Sequence, residues 1–350
     1  MKKKPLIYID LFSGIGGFTL GIKRVFPKAK CGGFSEIEPS AIQVYNEHFP
    51  DHENLGDVSK LKIKKLRKIL SKIADDYDLM IVGGSPCQNL SNANMSNQDG
   101  LEGDKSILFW EFARLVKKLK PKYFLLENVA SMKTKDRDLI SRELGVTPVR
   151  LDSGLVSVGH RERLYWCNWK VTPPEDRNLT WNSIRQTKGV AKEYYLKDKA
   201  LDFIVEVALN SDTHMNVVKG FKNSSLHAYS RSIRDVWDID DDGNYVLDED
   251  GKKIKIGTND EKRFRKDGKA NTLVTARGCG GSHSKNFVFT NKGWRLITRL
   301  EASRIQTFPD GWCKSISLSK AYKAFGNAVT AEMIEHIMSQ HPRAKRKKKC

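Results

Sequence analysis

Short apolar runs and longer amphipathic stretches alternate through the first half of the chain. Four apolar runs read as buried strands, because each is four to seven residues long and ends in a glycine-rich or polar turn. They are Leu6–Phe12, Cys31–Ile37, Asp78–Val82 and Tyr123–Leu126. The stretches between them carry apolar side chains at helical spacing. This alternation predicts an α/β fold with a doubly wound, mostly parallel sheet.

The pattern changes at about residue 172, where the alternation of helices and strands is lost. Basic and aromatic residues interleave there, and an acidic insert runs from Asp238 to Gly251. This region extends to about Asn271, and the periodic pattern returns with Glu301. We therefore predict a larger domain from residues 1–171 plus 272–340, a smaller and irregular domain at 172–271, and a basic tail at 341–350.

The charge of the chain indicates a polyanionic partner. Its 350 residues carry a formal net charge of +19, and a globular protein this basic usually binds nucleic acid. No apolar run approaches the roughly 18 residues of a membrane span, and no signal peptide follows the basic start. The six cysteines are scattered without metal-ligand spacing, so we expect neither a zinc site nor disulfides.

A glycine-rich turn, Ser13–Phe18, joins the first strand to a predicted helix. This arrangement aims backbone N–H groups at a ligand. Thr19 stands where a dinucleotide fingerprint requires its third glycine, so the turn fits an adenosine-bearing cofactor without a pyrophosphate, or a tight turn with no ligand. Glu36 lies at the distance typical of a ribose-binding carboxylate. Asp57 could cap a helix or accept a hydrogen bond from an adenine amino group.

The turn Gly83–Gln88 follows the third strand and carries Cys87. A thiol at the end of a parallel strand is placed as a nucleophile, although most free cysteines are small buried apolar groups. The polar stretch Asn89–Lys105 that follows is long for a connection, and it is typical of a mobile lid.

Charged residues end two further predicted strands. Glu127 follows the strand that begins at Tyr123, where a carboxylate suggests chemistry and a solvated loop end is the alternative. Arg161 and Arg163 are two residues apart on a strand and would share a face, unless they belong to an ordinary surface charge run.

Taken together, these motifs resemble the C5-cytosine DNA methyltransferase family. In order they are DLFSGIGGF at 10–18, SEIEPSA at 35–41, GDV at 56–58, GGSPCQNLS at 83–91, ENV at 127–129, RER at 161–163, LEASRIQTFPDGW at 300–312 and GNAV at 326–329. The HRER run at 160–163 and Asp136–Asp138 resemble the eukaryotic de novo type. The resemblance implies a Rossmann-like class I S-adenosylmethionine-dependent fold with a target-recognition domain. Because no regulatory domain precedes residue 1, we expect a stand-alone prokaryotic or viral enzyme of the cytoplasm.

The resemblance also implies roles for residues. Cys87 would attack carbon 6 of a flipped-out cytosine, Glu127 would hold N3 and the exocyclic amine, Arg163 would contact the carbonyl oxygen, and Arg161 would brace the site. S-adenosylmethionine would be held by Phe12, Ser13, Gly14, Ile15, Gly16, Gly17, Glu36, Ile37, Asp57, Val58, Leu108, Asn327 and Val329, with Phe12 stacked on the adenine. Duplex DNA would meet Gln88, Ser91, Arg231, Arg234, Arg263, Arg265 and Arg277, and no metal is expected.

Three alternatives remain at this point. An RNA cytosine methyltransferase could share the scaffold, although the Cys-Phe-Thr signature of the transfer-RNA branch is not found in the sequence. A catalytically inert DNA-binding module would be expected to lack Cys87 or Glu127, and both are present. A nicotinamide dehydrogenase is disfavoured by Thr19.

Overall fold

The structure, a computed structural model, describes residues 4–85, 107–195, 226–237, 255–264, 268–270, 272–273, 280–281, 284–290 and 292–344. Cys87, Gln88, Ser91, Arg265 and Arg277 lie outside these residues, as does the stretch Asn89–Lys105. The predictions made for them therefore stay predictions.

Six strands form the first sheet. They are β1 (Leu6–Leu11), β2 (Lys30–Ser35), β3 (Asp78–Gly84), β4 (Tyr123–Val129), β5 (Val149–Asp152) and β6 (Glu162–Cys167), in the order β2-β1-β3-β4-β6-β5. The pairs among β1 to β4 are parallel, whereas β6 runs antiparallel to both β4 and β5. The predicted doubly wound, mostly parallel α/β sheet is confirmed.

Helices cover both faces of this sheet. They are α1 (Gly17–Val25), α2 (Pro39–His48), α3 (Ile63–Ile73), α4 (Ile107–Leu119), α5 (Thr134–Leu144), α6 (Arg299–Ile305), α7 (Leu318–Asn327) and α8 (Ala331–Ser339). Apolar side chains of α3, α4 and α5 share one buried cluster with the sheet, and those of α1 and α8 share another. Burial on both faces explains why the strands read as nearly continuous apolar runs.

The second strand ends two residues earlier than its apolar run suggests. β2 stops at Ser35, because the Glu36 side chain accepts hydrogen bonds from the next two backbone N–H groups, of Ile37 and Glu38. Such local bonding offers the backbone an alternative to the sheet. The early end places Glu36 in a loop beside the turn that follows β1.

A second, antiparallel sheet lies later in the chain. Its strands are β7 (Leu226–Trp237), β8 (Lys255–Phe264), β9 (Gly280–Gly281), β10 (Ser284–Thr290) and β11 (Gly293–Leu296), in the order β11-β10-β7-β8 with β9 beside β10. The apolar pattern did not predict these strands. The sheet continues past residue 271, the boundary predicted for the smaller domain, and that boundary stays a prediction.

The described residues lack two kinds of feature. No described helix is long and apolar enough to cross a membrane. No group of three or more histidine, cysteine, aspartate or glutamate side chains gathers there in a way that could hold a metal ion.

Candidate active site

The loop between β1 and α1 turns sharply at the carboxyl edge of the sheet. Phe12 has a φ of 55° and Gly16 one of 88°, and the Gly16 N–H donates to the Ser13 carbonyl at 2.9 Å. A Cβ added to Gly17 would lie 2.7 Å from Cγ2 of Val329. The first turn of α1 therefore packs directly against the segment that leads into α8, and predicted cofactor residues far apart in sequence meet here.

Glu36 is fixed beside this loop by backbone donors. One carboxylate oxygen accepts the Gly14 N–H at 2.8 Å. The other accepts the N–H groups of Ile37 at 2.8 Å and Glu38 at 2.9 Å. These three bonds occupy most of the roughly four acceptor positions of a carboxylate. They leave one position for a hydroxyl group of a ligand.

Asn54 holds the backbone of Glu36 and was missed by the sequence analysis. Its amide nitrogen donates to the Glu36 carbonyl at 3.2 Å. Its carbonyl oxygen accepts from the N–H groups of Glu36 at 3.4 Å and Gly56 at 3.0 Å. Asn54 thereby links the loop after β2 to the segment that carries Asp57, and no local pattern indicates this because the partners are 18 residues apart.

Asp57 caps the short 3₁₀ segment Val58–Lys60. Its carboxylate accepts from both the backbone N–H of Ser59, at 2.9 Å, and the Ser59 hydroxyl, at 2.8 Å. These bonds lower the pKa of Asp57. Asp57 therefore caps this short segment and not α3, whose N-cap is Lys62, and the adenine contact stays a prediction.

The remaining predicted cofactor residues differ in exposure. Val58 is buried, Leu108 is half-buried and packs on the core, and Ile37 is 70% exposed. A large apolar side chain this exposed beside Glu36 is available to pack on a ligand.

Gln306 holds the C-terminal segment in place. Its amide nitrogen donates to the carbonyl oxygens of Phe325 at 2.6 Å and Ala328 at 3.1 Å. Its side-chain oxygen accepts from the Thr330 hydroxyl at 2.8 Å. Only 2% of Gln306 is exposed. This one side chain therefore determines the path of the segment that carries Asn327, which is exposed, and Val329, which is buried.

A buried polar network underlies the β1–α1 loop and accounts for Thr19. The Thr19 hydroxyl donates to Asp10 at 2.8 Å and lies 2.8 Å from the Tyr45 hydroxyl. Tyr45 in turn lies 3.2 Å from Nδ1 of His52. Burial raises the pKa of Asp10 to about 7. The threonine hydroxyl, which a glycine would lack, thus donates to one oxygen of the buried Asp10 carboxyl group.

Glu127 and Arg163 form an ion pair at the carboxyl end of β4. The Nε of Arg163 lies 2.9 Å from a carboxylate oxygen of Glu127, and both side chains are largely buried. Glu127 pairs with Gly84 in the parallel register of β3 and β4. A Cβ on Gly84 would lie 2.7 Å from the other Glu127 oxygen, so any larger residue there would displace the carboxylate. The carboxylate thus lies beside the strand end that leads to Cys87.

Arg161 serves a different part of the site. Its guanidinium donates to the carbonyl oxygens of Leu273 at 3.3 Å and Gly326 at 3.0 Å, and only 6% of the residue is exposed. It therefore joins the start of β6 to the Gly326–Val329 segment. The structure brings Arg163 to Glu127 and places the Arg161 guanidinium on backbone carbonyls.

Asn128 anchors the turn after β3. Its amide nitrogen donates to the Ser85 hydroxyl at 3.0 Å and to the Ser85 carbonyl at 3.4 Å. Both residues are buried. The turn that carries Cys87 therefore leaves β3 from a fixed point two residues earlier.

Three predicted DNA-reading arginines lie on the second sheet. Arg231 and Arg234 are on β7, and Arg263 is on β8. Arg263 lies opposite Ser230 in the antiparallel register, and Arg231 lies opposite Lys262. Positive residues thus occupy neighbouring positions on two paired strands.

Comparison with solved structures places the fold among the class I S-adenosylmethionine-dependent methyltransferases. The Entamoeba histolytica methyltransferase EhMeth superposes with a TM-score of 0.62 at 15% identity, covering 97% of this chain and 98% of that one. Spodoptera frugiperda DNMT2 superposes with a TM-score of 0.60 at 17% identity, covering 95% and 98%. At these identities the likeness establishes the fold alone.

The sequence establishes the family. The profile of the C-5 cytosine-specific DNA methylases matches residues 6–145 and 160–343, and the chain belongs to that family. Its enzyme class is DNA cytosine-5-methyltransferase. It is 29% identical to the type II methyltransferase M1.ScrFI of Lactococcus lactis subsp. cremoris, over 94% of this chain and 76% of the relative. It is 25% identical to M.HpaII of Haemophilus parainfluenzae, over 95% and 88%. Such type II enzymes belong to restriction-modification systems.

Proposed function

We propose that this chain flips a cytosine out of a specific duplex DNA sequence and methylates its carbon 5 through a covalent adduct with Cys87. The observation that carries this proposal is the Glu127–Arg163 ion pair at the end of β4. That pair lies beside Gly84, three residues before Cys87 in the sequence. Activation of cytosine requires a carboxylate, a guanidinium and a thiol; the first two lie at the strand end from which the chain continues to Cys87.

The thiolate of Cys87 adds to carbon 6 of the cytosine ring. The sulfur–carbon bond forms as the electrons of the carbon 5–carbon 6 double bond move into the carbon 4–carbon 5 bond and those of the carbon 4–N3 double bond move to N3, which takes a proton from the Glu127 carboxyl group. A thiolate suits this step because it is a soft nucleophile that can later leave. After methylation a water molecule takes the proton from carbon 5, the electrons of that bond restore the carbon 5–carbon 6 double bond and expel the thiolate, and N3 returns its proton to Glu127.

Glu127 and Arg163 stabilise the activated ring. The Glu127 carboxylate accepts from the exocyclic amine and from the protonated N3, which favours the charge that develops there. Arg163 donates to the carbonyl oxygen of the base. A guanidinium has five N–H donors, and the bonds to Glu127 and to the Glu162 carbonyl use two of them. The ion pair also fixes the orientation of Glu127 before the base arrives.

The residues at the other end of the carboxyl edge fit S-adenosylmethionine. Glu36 has one acceptor position left for a ribose hydroxyl. The Ser13 hydroxyl is buried without a hydrogen-bond partner among the described residues, which suits a polar group of a ligand. Phe12 and Ile37 offer apolar surface for the adenine. When bound, this cofactor supplies an electrophilic methyl group on a sulfonium sulfur.

The second sheet supports the recognition role. Arginines on paired strands can enter the major groove, where bidentate contacts to guanine specify sequence. We propose that the recognition domain uses Arg231, Arg234 and Arg263 in this way, and that strands β9 to β11 support it.

The cytosine must leave the duplex to reach Cys87, at a cost of a few kcal/mol. We expect the enzyme in the cytoplasm of a prokaryotic or virus-infected cell, where its DNA substrate is.

Transfer of a labelled methyl group to duplex DNA and to transfer RNA tests the substrate. We expect incorporation into DNA, with bisulfite sequencing revealing one repeated sequence context. Incorporation into transfer RNA alone would contradict the proposal.

Duplexes that contain 5-fluorocytosine should become covalently attached to the wild-type chain. The Cys87→Ala variant should bind the same DNA without attachment, and attachment to that variant would exclude Cys87 as the nucleophile.

A further inference from the structure

Helix α3 carries an unusual concentration of positive charge. Residues 60–74 contain seven lysines and arginines and no acidic residue, and residues 117–122, at the end of α4, add four more lysines without an acid. These two short segments hold eleven positive charges in a chain whose formal net charge is +19. Apart from Lys60, which lies 3.7 Å from Asp57, none of them contacts the predicted cofactor residues or the Glu127–Arg163 pair.

The two segments form one continuous surface. Leu66 and Leu70 of α3 share a buried cluster with apolar residues of α4, and Arg67 donates to the Lys118 carbonyl at 3.1 Å. The lysines around this junction are exposed, and we call them the α3–α4 basic face: Lys62, Lys64, Lys65, Lys68, Lys72, Lys117, Lys118 and Lys120.

Acidic partners occur only at the borders of this face. Lys60 lies 3.7 Å from Asp57 and Lys122 lies 3.0 Å from Asp78. No lysine of the face itself forms an ion pair within the part of the chain that the structure describes. An ordinary solvated helix usually interleaves charges of both signs, so this separation requires a reason.

The arrangement is unfavourable for α3 on its own. Lys64, Lys68 and Lys72 follow one another at i, i+4 spacing, where like charges destabilise a helix. Lys62 is the N-cap, and Lys64 and Lys65 lie in the first turn, which contains no acidic residue. Positive charge there opposes the positive pole of the helix dipole. A bound polyanion would relieve both repulsions at once.

We propose that the α3–α4 basic face binds the phosphate backbone of duplex DNA that flanks the target cytosine. This inference rests on the proposed DNA substrate. Duplex DNA presents one charge per roughly 1.7 Å of its axis, so a helix of eleven residues, about 16 Å long, faces several phosphates. The contacts would be independent of sequence, and they would raise the affinity for long duplexes over short ones.

The test compares two full-length triple variants that remove the same charge. One carries Lys64→Gln, Lys68→Gln and Lys72→Gln on the basic face. The control carries Lys28→Gln, Lys30→Gln and Lys170→Gln, which are exposed lysines outside it. Binding is measured on a 14-base-pair and a 40-base-pair duplex with the same target, over a range of salt concentrations.

We expect the α3 variant to lose at least tenfold in affinity for the long duplex. The slope of its log affinity against log salt should become shallower by up to about 2.7, from roughly 0.9 per lost phosphate contact. The short duplex should be methylated at the wild-type rate, and the melting temperature without DNA should not fall. Failure of the proposed function would differ, because the wild type would then methylate neither duplex.

Three results would overturn the inference. Equal losses in both triple variants would mean that net charge acts at long range and that the face is not a contact surface. An unchanged long-duplex affinity in the α3 variant would mean that the face is only solvated. A third arm uses double-stranded RNA, and a loss confined to RNA would assign the face to a different partner and also overturn it.

Discussion

The two ends of the carboxyl edge of the first sheet are built differently. At the cofactor end, Glu36 accepts three backbone hydrogen bonds, and Asn54 and Gln306 hold the surrounding segments. At the chemical end, Glu127 has one ion pair, to Arg163, beside the turn anchored by Asn128. Under the proposed function, this difference means that the chain itself forms the pocket for the cofactor, whereas Glu127 and Arg163 would obtain their remaining hydrogen-bond partners from the bound base.

Substitution Glu127→Gln breaks the chemical end most directly, and we expect the largest effect from it. The amide loses the ion pair with Arg163 and cannot stabilise a proton on N3. Removal of a group with this role typically lowers rates by about 10²–10⁴-fold. Single-turnover methylation should therefore fall by about 10³-fold, while cofactor binding measured by calorimetry stays within about twofold.

The matched control is Glu162→Gln. Glu162 is the neighbour of Arg163 in sequence, and its exposed carboxylate pairs with Arg150 at the surface. Its loss should leave the rate nearly unchanged. A comparable loss of rate in both variants would show that general charge near β6 matters, and not the carboxylate of Glu127.

Substitution Glu36→Gln addresses the cofactor end. The amide NH₂ group would face backbone N–H donors, so at least one of the three hydrogen bonds must be lost and the side chain must turn. We expect the dissociation constant for S-adenosylmethionine to rise about 10- to 100-fold, with the rate at saturating cofactor reduced much less. Glu38→Gln is the control, because Glu38 pairs with Lys323 at the surface.

In the Glu36→Gln variant, the rate at saturating cofactor could instead fall by the same factor as the affinity for the cofactor. That result would contradict the assignment of Glu36 to cofactor binding and of Glu127 to the chemical step. It would mean that the two ends of the edge act as one unit.

Substitution Gln306→Met tests the cofactor end through a residue that only holds the Asn327–Val329 segment and touches no predicted ligand. Methionine fills a similar volume but makes none of the three hydrogen bonds. We expect the KM for the cofactor to rise about fivefold while the rate at saturation is kept, because the segment with Asn327 and Val329 loses its anchor. Gln306→Glu should not restore the wild-type KM, because its carboxylate would face the carbonyl oxygens of Phe325 and Ala328 and could not donate to them. An unchanged KM with a lowered melting temperature would assign Gln306 a purely structural role.

The sequence predicted the sheet and the loops that carry the site, for a physical reason. Strands buried on both faces read as apolar runs, and glycines and charges mark where each run ends. Asn54, Gln306 and the Asp10–Thr19 bond could not be predicted, because hydrogen bonds between distant residues leave no periodic signal. Strand β7 mixes charged, polar and aromatic residues without alternation, so its pairing with β8 and β10 could not be predicted from the sequence either.

The smallest expected effect is a pH dependence of the free energy of unfolding, caused by Asp10 under the β1–α1 loop. Burial raises the pKa of Asp10 to about 7, well above the roughly 3.9 of an unfolded aspartate. Between these values the folded state binds more protons than the unfolded state. The contribution of Asp10 to the free energy of unfolding therefore falls as the pH rises, by about 1 kcal/mol per pH unit between pH 5 and 7.

Asp10→Asn removes this titration while keeping an oxygen that can accept from Thr19. The difference in unfolding free energy, variant minus wild type, should therefore grow in favour of the variant by about 1 kcal/mol per pH unit over the same range. Burial lowers the pKa values of His52 and His341 to about 4, so their contributions to the free energy of unfolding rise with pH. Both proteins share these contributions, and subtracting one unfolding free energy from the other removes them. Denaturant unfolding at pH 5, 6 and 7 measures this difference. A difference that stays constant would mean that Asp10 is ionised throughout, and that the cofactor loop rests on a buried charge.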